Sequence, residues 1–372
     1  MNKELLFQLY CIHAKSGSEK KMRKFLRRQA MLCGAQSVNT DRHGNVLITK
    51  GHVDDGETYP CLAAHIDQVQ DNHSKDFRVV EIGNDVIAWS EKCHEQQGLG
   101  ADDKNGLFIC LECLKKYDNI KVAFFSGEEV GCKGSSQVDL EFFKDCRFII
   151  EPDRKGCHDL ITSMFCGGVC SQDFIDAIGY KKFGYSQVQG SITDVGELVE
   201  RGVGISCLNL SCGYYDPHTD NEYTILPHLE NCLNFVMHIV ENCTDVYPFE
   251  YDGGYYGGYG RYGSHYYDDW YGYDYGGYSK QYTKKALSTY TPDEEEEDYE
   301  LMQELLSNDP NISFEEIYNE WGISFNTRDK EILQFIYEDV RYSLGQDTQD
   351  EDFWGDDADL QGELVYPTQK VS

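Results

Sequence analysis

Positive charge is scarce in this sequence of 372 residues, where 33 Lys+Arg stand against 65 Asp+Glu for a formal net charge of −32. So acidic a chain repels phosphate backbones and anionic headgroups, which excludes nucleic acid and anionic membranes as partners. Long apolar runs are missing as well. No stretch reaches the ~20 residues of a membrane-spanning helix. Met1-Asn-Lys-Glu-Leu5 lacks the apolar core of a signal peptide, so the expected location is the cytoplasm. The 15 cysteines fall between Cys11 and Cys243 without regular spacing. Cys110-x-x-Cys113 and Cys166-Gly-Gly-Val-Cys170 come nearest to metal patterns, but a zinc knuckle needs two matched pairs. The first pair also lies inside a helical pattern, so the cysteines read as scattered buried thiols in a reducing compartment. Internal repeats are not evident.

Charge and complexity divide the chain. Residues 247–372 hold 29 Asp+Glu against 8 Lys+Arg, leaving −11 for the first 246. Residues 251–282 contain 12 Tyr and 9 Gly and not one aliphatic side chain. Such a segment has nothing to build a core from, and its rings predict disorder with weak self-association. An acidic run, Thr291-Pro-Asp-Glu-Glu-Glu-Glu-Asp298, follows it. Helical periodicity returns over 298–345, where Ser313-Phe-Glu-Glu316 has the form of a capping box and Ile332, Leu333, Phe335, Ile336 and Val340 make an apolar stripe. The expected organisation is a domain over 1–246, a linker over 247–297, a small helical appendage over 298–345 and an acidic tail over 346–372.

Within 1–246, short apolar runs at 61–64, 121–125, 147–150 and 205–210 alternate with helical patterns at 103–117, 134–144, 194–201 and 225–242. That alternation predicts an α/β fold around a mixed, mostly parallel central sheet. Ahead of it, Ser16-Gly-Ser-Glu19 has the form of another capping box. It precedes a helix that ends near Gly34 and carries a basic outer face from Lys20 to Arg28, read as a solvated face.

Polar groups gather where these apolar runs end, which is where ligands bind in such sheets. Cys61-Leu-Ala-Ala-His65-Ile-Asp67 closes one run with an imidazole and a carboxylate. Metal-bound histidines pass their second ring N–H to such an acceptor, although His-x-Asp is also the signature of a structural pair. Asp102-Asp103 opens a helix. One aspartate suffices for a cap, and the second could bridge two cations. Glu128-Glu129 follows Val122-Ala-Phe-Phe-Ser126. Two adjacent carboxylates losing solvation at a buried edge repel each other unless a cation is shared, which suggests that one ligates and the other moves protons. Phe148-Ile-Ile-Glu151-Pro-Asp153 adds two more carboxylates, and Asp216-Pro-His218-Thr219-Asp220 places a second histidine in a polar loop.

In order and context these motifs resemble zinc aminopeptidases and carboxypeptidases of the clan that joins metallopeptidase families M20, M28 and M42, with tripeptidase-T-like M20 proteins the nearest match. The resemblance covers about residues 1–245. It implies a three-layer zinc-exopeptidase (phosphorylase/hydrolase-like) fold and two divalent metal ions, usually zinc, with cobalt or manganese able to substitute. His65 and Asp153 would bind one ion, Glu129 and His218 the other, and Asp102 would bridge them. Asp67 would orient His65, and Glu128 would be the general acid/base that activates the bridging water. The expected activity is a two-metal exopeptidase acting on short peptides. The alternatives are hydrolysis of another amide, such as an acylated amino acid or cell-wall peptide, and a binding or structural protein that kept the fold. Only 64 residues separate Asp153 from His218, too few for the lid domain that dimeric members insert there. An oxyanion would then need another partner. Arg154, Tyr214 and Tyr215 are candidates because they adjoin ligands, Arg154 being equally suited to a structural ion pair. Asp194, in a Gly/Ser-rich loop, is a candidate for a substrate α-ammonium group.

Overall fold

The structure is a computed structural model that describes residues 1–251, apart from 55, 71, 72, 165 and 166, together with parts of 302–341. The expectations for the Tyr/Gly segment beyond 251, the acidic run and the acidic tail lie outside the described residues.

Helices α1 (Lys3–Cys11) and α2 (Lys20–Leu32) open the chain. Strands β1 (Ser37–Thr40), β2 (Val46–Lys50), β3 (Tyr59–His65), β4 (Phe77–Ile82), β5 (Asp85–Ser90) and β6 (Glu95–Gln97) follow. Then come α3 (Ala101–Lys116), β7 (Ile120–Phe125), β8 (Cys146–Arg154), β9 (Asp159–Met164) and β10 (Gly167–Gly168). The last part holds α4 (Gln172–Ala177), β11 (Ser186–Gln189), α5 (Asp194–Glu200), β12 (Cys207–Ser211), β13 (Tyr214–Tyr215), β14 (Tyr223–Ile225) and α6 (Leu226–Asn242).

A sheet of nine strands runs in the order β1-β2-β7-β3-β8-β12-β9-β10, with β11 beside β9. Its centre, β7-β3-β8-β12, is parallel. Strand β3 shows why these strands were visible as unbroken apolar runs: both of its faces are covered. Leu62 and Ala64 enter one core, which also takes Leu6, Met22, Leu107 and Phe235 from α1, α2, α3 and α6. Cys61 and Ala63 enter a second core with Val195 and Leu198 of α5. The side-chain period of two thus builds a helix–sheet–helix sandwich. Truncating a buried ring such as Phe124 to alanine costs about 3–5 kcal/mol in a core of this kind.

The α/β architecture with its mixed, mostly parallel sheet is as expected, and several details differ. A separate antiparallel sheet, β13-β14-β5-β4 with β6 beside β5, was not anticipated. Its strands are short or half-exposed, and the one apolar run among them, Val86-Ile-Ala-Trp89 of β5, is buried on one face only. The expected helix over 134–144 is a series of turns ending in a 3-10 turn at Leu140–Phe143. The box at Ser16 and Glu19 does not form. The Ser16 hydroxyl donates to Asp67 at 2.6 Å, Glu19 accepts from the Gly17 N–H at 2.8 Å, and α2 starts without a side-chain cap. Packing also continues past residue 246. Tyr247 N–H donates to the Arg147 carbonyl at 3.0 Å, Ser206 N–H to the Tyr247 carbonyl at 2.8 Å and Phe249 N–H to the Gly204 carbonyl at 3.2 Å.

A second compact unit lies within 263–372. Its helix α7 (Phe314–Trp321) is capped as the sequence indicates. Ser313 Oγ donates to Glu316 at 2.6 Å and accepts the Glu316 N–H at 3.3 Å. Met302, Leu306, Ile317, Leu333, Tyr337 and Val340 form its small core.

Candidate metal centre

His65 ends β3 and Asp153 lies near the end of the neighbouring strand β8, so sheet pairing alone brings them together. Among the described residues, three sets place their ligand atoms within 4.8 Å of one another: His65, Asp103 and Asp153; His65, Glu128 and Glu129; and Asp102, Glu129 and His218. Every residue expected to hold a metal therefore lies in one cluster.

Asp102 sits at its centre. One carboxylate oxygen is 3.1 Å from His65 Nε2 and the other is 3.3 Å from His218 Nε2. His65 Nε2 is also 3.6 Å from Asp153 Oδ1, and His218 Nε2 is 3.0 Å from Glu129 Oε2. Local backbone explains why this aspartate is free to do this. Gly100 turns the chain through the left-handed region at φ +64°, a conformation that suits glycine. Asp102 and Asp103 lie outside helical φ/ψ. Asp103 takes the cap, accepting the Gly106 N–H at 3.0 Å and the His65 N–H at 3.3 Å. Glycine at 106 leaves room for that carboxylate, which a Cβ would strike. One of the two aspartates caps, and the other faces the histidines.

Asp67 orients its neighbours in an unexpected way. The second nitrogen of His65 meets the Asp67 carbonyl at 2.9 Å, with the carboxylate farther off at 3.6 Å. The carboxylate instead accepts the Ser16 hydroxyl at 2.6 Å and the Glu128 N–H at 3.0 Å. It thereby sets the backbone at Glu128.

The electrostatics call for cations. Burial opposes a charge on His65, but Asp153, Asp102 and Asp67 outweigh it and lift its pKa well above the ordinary imidazole value. His218 is raised to about 11 because Asp102 and Glu129 likewise outweigh its burial. Asp102 is held low by the two imidazoles despite burial. Burial, reinforced by neighbouring carboxylates, pushes Glu128, Glu129 and Asp153 up. Glu129 Oε1 is buried without a hydrogen-bond partner. Oxygen and imidazole donors at this density, with a buried acceptor to spare, fit hard or borderline divalent cations.

The residues expected to meet substrate are placed less favourably. Asp194 is 0% exposed and accepts the Ser135 hydroxyl, so its carboxylate does not face solvent. Asp194 is the first residue of α5, where the helical pattern over 194–201 was expected to begin. Arg154 pairs with Asp159 at 3.2 Å, the ion-pair alternative. Tyr214 donates to Asp153 Oδ1 at 3.3 Å, and Tyr215 meets His228 Nδ1 at 2.8 Å. Residues 154–217 are consumed by β9 to β13, α4, α5 and their connections. Glu151 is quoted with its motif but given no role by the sequence, and Glu222 is not singled out at all. Buried Glu151 is raised to about 7 by desolvation and accepts the Thr193 hydroxyl and the Val195 N–H. Its Glu-Pro-Asp context was a signal. Glu222 had none beyond lying four residues after His218.

No family model matches this chain, and no curated protein does. Solved structures do share its fold. The aminopeptidase PepT of Bacillus cereus ATCC 10987 aligns at TM-score 0.53 and 15% identity, over 65% of this chain and 99% of its own. A tripeptidase of Staphylococcus aureus subsp. aureus Mu50 aligns at 0.52 and 14%, over 64% and 96%. Aminopeptidase APDkam598 of the archaeon Desulfurococcus kamchatkensis aligns at 0.51 and 16%, over 65% and 94%. The chain has the peptidase-type α/β fold of these proteins. At such identities the likeness extends to architecture only.

Proposed function

We propose that the chain is a two-metal exopeptidase that hydrolyses short peptides, with zinc as its resident metal. The observation that carries this reading is the disposition of Asp102, whose two oxygens face different histidines at 3.1 and 3.3 Å. A carboxylate shared by two cations needs that disposition, whereas a simple ion pair does not. His65 and Asp153 would hold one ion and Glu129 and His218 the other. Bound there, divalent ions supply Lewis acidity toward the scissile carbonyl and lower the pKa of water. Glu128 accepts the proton of the attacking water and returns it to the leaving amine. Its burial among carboxylates raises its proton affinity above that of an ordinary glutamate, which suits a group that takes up and returns a proton, and Asp67 fixes its backbone. The peptidase names of the proteins that share the fold support a peptide substrate. The 14 described cysteines are all unpaired, which supports a reducing, cytoplasmic setting.

The test is turnover after metal removal and zinc reconstitution. The panel holds di- and tripeptides with free and blocked N-termini, N-acylated amino acids and a cell-wall peptide. Zinc-dependent release of one residue from short peptides is expected. Cleavage of acylated amino acids or cell-wall peptide alone would move the activity to another amide. Two bound ions with no turnover of anything would make the chain a binding protein.

A further inference from the structure

Glu222 lies in the loop between β13 and β14 and is fully buried. Its carboxylate is spent on backbone rather than on the cluster. One oxygen accepts the Asp102 N–H at 3.0 Å. The other accepts the Gly100 N–H and, at 3.2 Å, Gln70 Nε2. These N–H groups belong to the tight turn ahead of the regular part of α3, and buried backbone donors must find a partner. Here the partner arrives from 120 residues away.

The loop that supplies Glu222 also supplies His218. Two further contacts fasten it to the same region: Gly98 N–H donates to Asp220 Oδ1 at 3.2 Å, and Gln96 Nε2 donates to the Glu222 carbonyl at 3.2 Å. The loop has little regular structure of its own, with Asp216 at φ +50° and His218 at φ +63°. Gln70, which holds Glu222 from behind, is in turn held by Gln68 Nε2 at 2.9 Å. Gln68 Oε1 accepts the Ala14 N–H at 3.2 Å. A single carboxylate therefore joins the turn bearing Asp102 to the loop bearing His218.

We propose that Glu222 is a positioning residue that fixes Asp102 and His218 in one frame, so that the cation position formed by Asp102, Glu129 and His218 depends on its grip. This inference rests on the two-metal reading above. An amide at position 222 offers one acceptor oxygen and turns an NH2 toward a backbone N–H, so it cannot hold both donors.

The experiment compares the full-length parent, Glu222→Gln and Gln70→Ala, each stripped of metal and titrated with Zn²⁺. The metal-free melting temperature is measured alongside, and kcat and KM are measured at each loading. In Glu222→Gln the first equivalent should bind as in the parent. The second should weaken about 10- to 100-fold, as outer-shell substitutions do. Excess Zn²⁺ should restore kcat with KM unchanged. Gln70→Ala, which touches no expected ligand, should shift the second equivalent in the same direction by less. Parent-like affinity for both equivalents in Glu222→Gln overturns the proposal, as does equal weakening of both with a fall in metal-free melting temperature. If Glu222→Gln does not fold, Gln70→Ala decides, and an unshifted second equivalent overturns it. A parent that binds fewer than two ions sinks the two-metal reading and this inference together, which separates the two failures.

Discussion

The two halves of the cluster are built in different ways. His65 and Asp153 arrive on adjacent parallel strands whose register, Leu62 opposite Ile150, is fixed by main-chain hydrogen bonds and by two cores. His65 is 1% exposed. Glu129 and His218 arrive on connections, and the His218 side chain is 40% exposed. The sheet positions the first pair as a by-product of folding. The second pair depends on contacts made by loops. One half should therefore be rigid and costly to disturb, and the other adjustable and cheap to lose.

The largest expected effect ends the comparison by removing what the halves share. Asp102→Ala should lose both ions and leave no detectable peptide turnover, as read by elemental analysis and assay. Retention of one full equivalent would mean that the halves are independent. Next, Glu128→Gln should lower kcat about 10²- to 10⁴-fold, the usual worth of a general acid/base, with both ions kept. Loss of an ion would make Glu128 a ligand instead.

The contrast sharpens in a pair of alanine variants. His65→Ala leaves a void and unpaired acceptors in a buried network, so it should destabilise the metal-free chain by about 1–3 kcal/mol as well as abolish binding at its own position. His218→Ala should lose one ion and leave the metal-free melting temperature almost unchanged. Equal destabilisation by both would contradict the difference between the halves.

The smallest effect is a slope with pH. In the metal-free chain Glu128, Glu129 and Asp153 titrate above their ordinary values and Glu151 near 7. His65 and His218 also hold their protons to higher pH than free imidazole. Between pH 5 and 8 the folded state thus binds protons that the unfolded state has released, so stability should fall as pH rises. Ion binding requires deprotonated ligands, so the loaded chain should gain stability over the same range. Melting curves at pH 5, 6, 7 and 8 with and without zinc check both signs. Parallel slopes would show that metal does not reach the buried carboxylates.

The parts legible from sequence are those where local pattern and tertiary use coincide. Strands β3, β7, β8 and β12 are covered on both faces and read as apolar runs, and the motif carboxylates and histidines follow their ends. The two Ser-x-x-Glu boxes show where legibility stops. At Ser313 no tertiary partner among the described residues competes, and the box forms. At Ser16 the hydroxyl is drawn to Asp67 across 51 positions of sequence, and the box is lost. Asp194 differs in burial and not in secondary structure: its Gly/Ser-rich stretch suggests solvent, yet the first residue of the expected helix is 0% exposed, because a helical pattern does not say which way its first side chain faces. Glu222 could not be read at all, because its partners are backbone N–H groups on a distant turn.

Whether two cations share Asp102 can be read from the electron paramagnetic resonance spectrum of the metal-free chain loaded with two equivalents of Mn²⁺. Ions bridged by one carboxylate lie close enough for their spins to couple. The parent should give the signature of an exchange-coupled pair, and Asp102→Ala should not. A parent that takes up two equivalents and shows only isolated Mn²⁺, or that saturates at one, would contradict a shared Asp102.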